Sequence, residues 1–311
     1  MKSVTFLTYH KGIQGSYLNH LDLQQYLKDQ EGYKIKFYCE NVKKLFEVIK
    51  LSRRNYTFKK GEIKILKNNM IISDTIITDF KTLLMFQKEK KWIACKKLIV
   101  MDSIELTYHL KDMKEARFYY DLDLNKVLKH FYTSDVLFLM PPNNAEIFQE
   151  KYPDLKCQVY FKSINVDMLN TIDCKNQKGY FFRWDTCNDD NEQIIKQFNN
   201  EAISFTPVWT LKNGRRVPLR YKEVDFIFDY QNLIYRRRKY LEYQEQFGRL
   251  IFEYILMGKT VYFLNQPYTD DGLTNYLRHY DIQFDNNKII TTKEELSDRM
   301  EAENIKNDRL L

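Results

Sequence analysis

Cysteine is scarce in this sequence and poorly spaced for chemistry. The 311 residues hold five, Cys39, Cys95, Cys157, Cys174 and Cys187. No two stand in a C-x-x-C arrangement, which excludes a zinc ribbon or a dithiol redox motif. An odd, scattered set reads as reduced thiols in a cytosolic protein. Proline and glycine number only six and nine, and there is no low-complexity tract and no internal repeat. Long apolar runs are also missing. The opening run Val4–Tyr9 is far too short for a signal peptide. The most apolar stretch, residues 250–264, is interrupted by Glu253, Gly258 and Lys259, so it does not span a bilayer. His20, His109, His130 and His279 have no metal-ligand spacing.

What is present is the material for two cores. Hydrophobic residues make up 44% and aromatics 15%, enough for two domains of ordinary size. Charged residues are 29% and spread along the chain, against long disorder. The net charge of +7 suits a polyanion or an anionic membrane surface. The abundance of lysine, asparagine, isoleucine and tyrosine equally fits an AT-rich coding bias with no ligand behind it.

Short apolar runs alternate with helical patterns. Val4–Tyr9 reads as a buried strand, followed by a turn at 11–15 and a helix capped by Ser16. Lys34–Cys39, Ile76–Asp79, Leu98–Met101 and Val136–Met140 read as further strands, and Arg53–Met70 as a hairpin or extended loop. A helix is expected after Pro141-Pro142-Asn143-Asn144. A second cycle starts near residue 166, with strands at Gly179–Trp184, Ala202–Phe205, Val224–Phe228 and Thr260–Leu264, and helices at Asn191–Phe198 and Gln246–Met257. Thr292-Lys293-Glu294-Glu295 is a capping box opening a last helix. This alternation implies mainly parallel sheets with helices on both faces, in domains spanning 1–165 and 166–311.

The stretch from Glu245 to Gly258 carries the chemistry. Phe247, Leu250, Ile251, Tyr254 and Ile255 form one helical stripe, with Glu245, Gly248, Arg249 and Glu253 off it and Gly258 ending the helix. A helix amino end attracts phosphate through its unpaired N–H groups and dipole. Gly248 permits close approach, and Arg249 adds charge. Glu245 accepts hydrogen bonds from sugar hydroxyls in this reading, and Glu253 holds a ribose diol. The same residues also fit an Arg249–Glu253 surface pair on an ordinary amphipathic helix.

Two glutamates eight positions apart, a Phe-Gly pair between them and a small-residue break before a buried strand resemble the donor-binding signature of retaining GT-B glycosyltransferases. That resemblance implies an α/β fold of two Rossmann-like domains with a cleft between them, and a nucleotide-sugar donor, a UDP-sugar by analogy. It implies no cofactor and no metal; Asp121-Leu-Asp123 reads as a turn. Arg183, ending Gly179-Tyr-Phe-Phe-Arg, stands where the family grips the donor diphosphate. The family's following lysine is absent, the positions being Thr186, Cys187, Asn188 and Asp189. Arg236, Arg237 and Arg238 are the substitute bases, or else a solvated basic face. Gly12 and Gly15 match the family's glycine-rich first turn. Asp102, at the carboxyl end of Leu98–Met101, is the group that takes the acceptor proton, or a helix N-cap. His10 is a second candidate.

Size and basic charge also resemble the DNA glucosyltransferases of T-even-type phages. This implies glucose transfer from UDP-glucose to a hydroxymethylated base flipped out of double-stranded DNA, in the host cytoplasm. Arg53-Arg54, Lys59-Lys60, Lys90, Lys91 and Lys96-Lys97 would form the basic face, with Tyr56 and Trp92 interleaved. Two alternatives remain open. One is transfer to a saccharide or lipid-linked acceptor for surface polysaccharide, with the basic patches on an anionic membrane. The other is a non-catalytic nucleotide-sugar- or DNA-binding protein on the same scaffold.

Overall fold

The structure, a computed structural model, describes residues 2–9, 15–28, 30, 32–67, 70–111, 123–175, 177–183, 196, 198, 203–205, 208–210, 216–218, 227–236, 247–264 and 272–309. The chain divides into two compact units, Met1–Phe46 with Tyr56–Ser163 and Glu303–Leu311, and Glu47–Asn55 with Ile164–Ala302. The sequence suggests a single cut at residue 165. Two short segments instead belong to the unit opposite to their chain neighbours, because their side chains bond there. Arg53 pairs with Asp229 of the second unit. Asn307 donates to the Phe161 carbonyl of the first at 3.2 Å.

The first unit is built from β1 (Lys2–Thr8), α1 (Gly15–Lys28), β2 (Tyr33–Cys39), the opening of α2 (Val42–Ser52), β3 (Ile63–Ile65), β4 (Met70–Asp79), α3 (Phe80–Lys88), β5 (Trp92–Met101), α4 (Ile104–Leu110), α5 (Leu124–Lys129), β6 (Tyr132–Met140), α6 (Pro142–Lys151) and β7 (Lys156–Val159). Its seven strands lie in the order β3-β2-β1-β4-β5-β6-β7, every pair parallel. Phe6, Ile77, Ile99 and Phe138 are fully buried, as expected of strands covered by helices on both faces. Asp79 caps α3 by accepting the Thr82 N–H at 2.8 Å.

The second unit holds α7 (Val166–Asn170), β8 (Gln177–Arg183), β9 (Ile203–Phe205), β10 (Val208–Thr210), β11 (Arg216–Pro218), β12 (Tyr230–Arg236), α8 (Arg249–Leu256), β13 (Thr260–Leu264), α9 (Gly272–His279), β14 (Phe284–Asp285), β15 (Lys288–Ile289) and most of α10 (Lys293–Asp308). Its main sheet has the order β14-β15-β13-β12-β8-β9. The four strands β13, β12, β8 and β9 are parallel, and a short antiparallel edge is formed by β15 and β14. The α/β class and its two mainly parallel sheets are as the alternating pattern implied. The capping box also forms, with Thr292 and Glu295 bonding reciprocally. No described helix is long and apolar enough to cross a membrane.

Several local expectations are corrected. Of the hairpin or extended loop expected over Arg53–Met70, the loop is found at 54–59 and the hairpin is not, since β3 pairs parallel with β2. Ser16 lies inside α1 rather than capping it. Helix α6 begins at Pro142, whose missing N–H costs nothing at a first helical position. Ile227–Asp229 is a 3-10 turn, and the strand expected there lies at Tyr230–Arg236; polar Gln231 and Asn232 hide its buried Leu233, Ile234 and Tyr235. Most of the helix expected at 191–198 lies outside the described residues.

Candidate functional site

In the second unit the strand order reverses between β8 and β12, with β9 beyond one and β13 beyond the other. Arg183 is the last residue of β8 and Arg236 the last of β12. Tyr235 is in register with Arg183, so the two arginines end neighbouring strands. A reversal of this kind opens a crevice at the carboxyl ends of the strands, where open α/β sheets bind ligands. Helix α8 links β12 to the parallel strand β13, so it is a crossover helix and its amino end returns to the same edge.

That amino end is shaped by Gly248, the N-cap, with φ 58° and ψ 36°. A side chain is disfavoured there twice over. The left-handed backbone strains any residue with a Cβ, and a Cβ would lie 2.6 Å from Leu273 Cδ1. At the other end Gly258, φ 67°, follows the C-cap Met257, as the sequence implied.

Every side chain of α8 is buried. Arg249 and Glu253 do form an i, i+4 pair, but inside the unit, not at its surface. Arg249 Nε donates to Glu253 Oε1 at 2.6 Å. Arg54 Nη2 donates to the same oxygen, and the Arg54 guanidinium lies 5.6 Å from the Phe228 ring centroid. Arg54 and Glu253 have no exposed side-chain surface, and Arg249 has 5%. Taken as a group, the three carry two positive charges and one negative at a positively polarised helix end. Glu253 was expected at a ribose diol; its carboxylate is here enclosed by two guanidiniums.

Beside this cluster Arg53 makes a fork to Asp229, Nη1 to Oδ1 at 2.6 Å and Nη2 to Oδ2 at 3.4 Å. Burial works to raise the Asp229 carboxyl, but hydrogen bonds from Arg53 and the Lys175 N–H overcome it and hold the group below the usual carboxylate range. Burial lowers the Lys259 ammonium, against the pull of Cys174 and Asp229. Tyr254 donates to the Ile227 carbonyl, and burial raises its phenol well above its ordinary value.

In the first unit the order reverses between β1 and β4. Asp102 follows β5 at that carboxyl edge and is buried. Its Oδ2 accepts from Asn144 Nδ2 at 3.0 Å, and Asn144 also donates to Thr107 Oγ1 at 2.8 Å. Asp102 is not a helix N-cap: that residue is Ser103, whose side chain makes no capping bond. Lys162 Nζ lies 3.4 Å from the Asp102 carbonyl oxygen. Burial lowers its ammonium, opposed by the charges of Asp102 and Asp79.

The remaining sequence candidates fare unequally. Glu245, His10, Gly12, Arg237 and Arg238 lie outside the described residues, as does Asp121 of the Asp121-Leu-Asp123 turn; Asp123 caps α5. Gly15 is the first residue of α1. Lys90 is exposed in the turn before β5, while Lys91 is engaged with Glu89 at 2.8 Å and lies 4.9 Å from the Tyr9 ring centroid. Arg53 and Arg54 do not belong to a basic face of the first unit. Tyr56 is buried and donates to Asp22 Oδ1 at 2.5 Å. Sequence reasoning put Arg54 on a basic face and missed its partner: it meets Glu253 across 199 positions, and nothing in one sequence signals that pairing. Among the described residues no cluster of histidine, cysteine or acids is arranged to hold a metal ion.

No protein-family model matches the chain, and no curated protein matches it. Among solved structures it is similar to one described as a UDP-N-acetylglucosamine 2-epimerase from Listeria monocytogenes, at 11% identity and a TM-score of 0.48, over 99% of this chain and 88% of that one. It is also similar to a sucrose-phosphate synthase from Thermosynechococcus elongatus, at 9% identity and a TM-score of 0.44, over 100% of this chain and 98% of that one.

Proposed function

We propose that this chain is a GT-B glycosyltransferase that moves a sugar from a nucleotide-sugar donor to an acceptor hydroxyl. The observation that carries the reading is that Arg183 and Arg236 end neighbouring parallel strands of the second unit, with α8 the helix that follows the second of them. Two strand-end arginines and a helix amino end suit a diphosphate, because each favours negative charge.

In the reaction the bond from the sugar's anomeric carbon to the diphosphate breaks as the acceptor oxygen bonds to that carbon, and the nucleoside diphosphate leaves. Arg183 and Arg236, with Arg237 and Arg238, stabilise the charge that develops on the leaving oxygens. Gly248 lets the backbone approach them. Glu245 orients the sugar through its hydroxyls, and Asp102 takes the acceptor's proton. Glu253 is a positioning residue: it fixes Arg249 and Arg54, not a ribose. Retention at the anomeric carbon follows the GT-B signature of residues 245–258. The specific form is glucose from UDP-glucose on a hydroxymethylated base of duplex DNA, or on a saccharide or lipid-linked hydroxyl.

The test is incubation with a panel of nucleotide sugars, with hydroxymethylated DNA, unmodified DNA or no DNA, read by mass. Sugar added only to hydroxymethylated DNA selects the base acceptor. Donor hydrolysis without that product points to another hydroxyl. A chain that neither binds nor consumes any nucleotide sugar sinks the proposal.

A further inference from the structure

At the amino ends of β4, β5 and β6, opposite to the edge that holds Asp102, no described helix covers one face of the first sheet. Met70 is in register with Trp92, Ile72 with Ala94, and Ala94 with Tyr132. Alternation along a strand therefore puts Met70, Ile72, Trp92, Ala94 and Tyr132 on one face, while Ile71 and Ile93 between them point into the core. The outward side chains are large, apolar and exposed, at 43% for Met70, 69% for Ile72 and 61% for Tyr132. Trp92 is half-buried, with its ring 4.1 Å from that of His130 and 5.5 Å from that of Tyr132. A contiguous apolar patch of this kind on a folded surface marks an interaction site.

The rim is basic. Exposed Lys67 and Lys90 stand in the turns just before Met70 and Trp92, and exposed Lys129 ends α5 just before Tyr132. Lys96, with 83% of its side chain exposed, lies further along β5 and reaches Asp74 at 2.9 Å. The other described acid near these turns, Glu89, is occupied by Lys91. We propose that this face seats the first unit on an anionic lipid surface, with Ile72, Met70 and the Trp92–Tyr132 pair at the headgroup boundary and the lysines against the lipid charge. Aromatic rings favour that boundary, and a basic rim around an apolar face is the pattern of peripheral membrane binding. Duplex DNA fits less well. Ile72 and Met70 offer a phosphate backbone nothing, and one face of the Trp92 ring is already stacked on His130. The inference does not rest on the transfer reaction.

The experiment is flotation of the full chain with vesicles of phosphatidylcholine alone, or with phosphatidylglycerol in equal parts, beside a duplex-DNA titration. The chain is expected to float with the anionic vesicles and to stay behind with the neutral ones. Ile72→Asp should lower the bound fraction at least about tenfold, since it removes the aliphatic side chain that the lipid would bury. Lys90→Glu and Lys129→Glu should each lower it roughly fivefold, and added salt should do the same. Thermal melting checks that each variant is folded, and Ile72→Ser replaces the aspartate if that variant melts early. No flotation, equal flotation with both vesicle types, or undiminished flotation of a folded Ile72 variant overturns the proposal. So does DNA binding tighter than vesicle binding and abolished by the same substitutions.

Discussion

Arg54 and Glu253 stand 199 positions apart in the chain and are joined in the interior of the second unit, where Glu253 Oε1 also takes the Arg249 Nε hydrogen bond at 2.6 Å. Neither Arg54 nor Glu253 has exposed side-chain surface. Among the described residues the carboxylate is thus the one acid bonded to this pair of arginines at α8, and the integrity of that helix end depends on it.

Removing this acid should be costly. Glu253→Ala leaves two guanidiniums facing each other without the carboxylate between them, and loss of one partner of a buried pair costs about 3–5 kcal/mol. Arg54→Met leaves Glu253 with Arg249 and should cost less. Urea denaturation of both variants measures the difference. A Glu253→Ala loss below about 1 kcal/mol would show that the ionic group is solvated in solution.

Gly248→Ala tests the fit at the helix amino end. The left-handed backbone costs about 1–2 kcal/mol for any residue with a Cβ, and the added methyl must displace Leu273 Cδ1 from 2.6 Å. The loss should reach about 2–3 kcal/mol. Leu273→Ala in the same chain should recover the steric part alone, so the two substitutions should combine less than additively. Additive losses in denaturation would place Leu273 away from the glycine.

The Arg53–Asp229 fork gives a pH signature. Arg53 holds the Asp229 carboxyl below its ordinary range against the effect of burial. A carboxyl depressed in the native state adds stability that is complete above its unfolded value, about 3.9, and is lost as pH falls through the native value. In Arg53→Met only Lys175, chiefly through its N–H, is left to oppose burial, so the carboxyl moves up and the ionised form is less favoured. The stability gap between wild type and Arg53→Met should therefore be widest near neutrality and narrow below about pH 4. A gap that is constant with pH would deny Asp229 this role.

Turnover separates the proposed roles. Glu245→Ala and Arg183→Ala should abolish sugar transfer in chains that melt like wild type. Asp102→Asn keeps the oxygen that accepts from Asn144 yet loses the base, so transfer should fall by about 10²-fold or more with donor affinity retained. Donor titration alongside product formation reads both quantities. Normal turnover in Glu245→Ala would remove the sugar-orienting assignment, and normal turnover in Asp102→Asn would remove the base.

Much of the frame was legible in the sequence. Runs such as Leu98–Met101 and Val136–Met140 are apolar on both sides, a pattern that suits strands of a covered parallel sheet, and Thr292 to Glu295 spells out its own capping bonds. The β12 strand was misplaced because Gln231 and Asn232 interrupt its apolar pattern. Helix α8 was taken as half-exposed because Arg249 and Glu253 are charged; their burial depends on Arg54, which no local period can announce.

Local pattern alone determined the strand–helix alternation and the helix-ending Gly258, since each follows from the chemistry of a few adjacent residues. Tertiary structure decided that Arg183 and Arg236 end neighbouring strands, that residues 47–55 belong with the second unit, and that Met70, Ile72, Trp92 and Tyr132 share one bare face. Those relations depend on strand order and register, and these are fixed by packing between residues far apart in the chain, where spacing along the sequence carries no information.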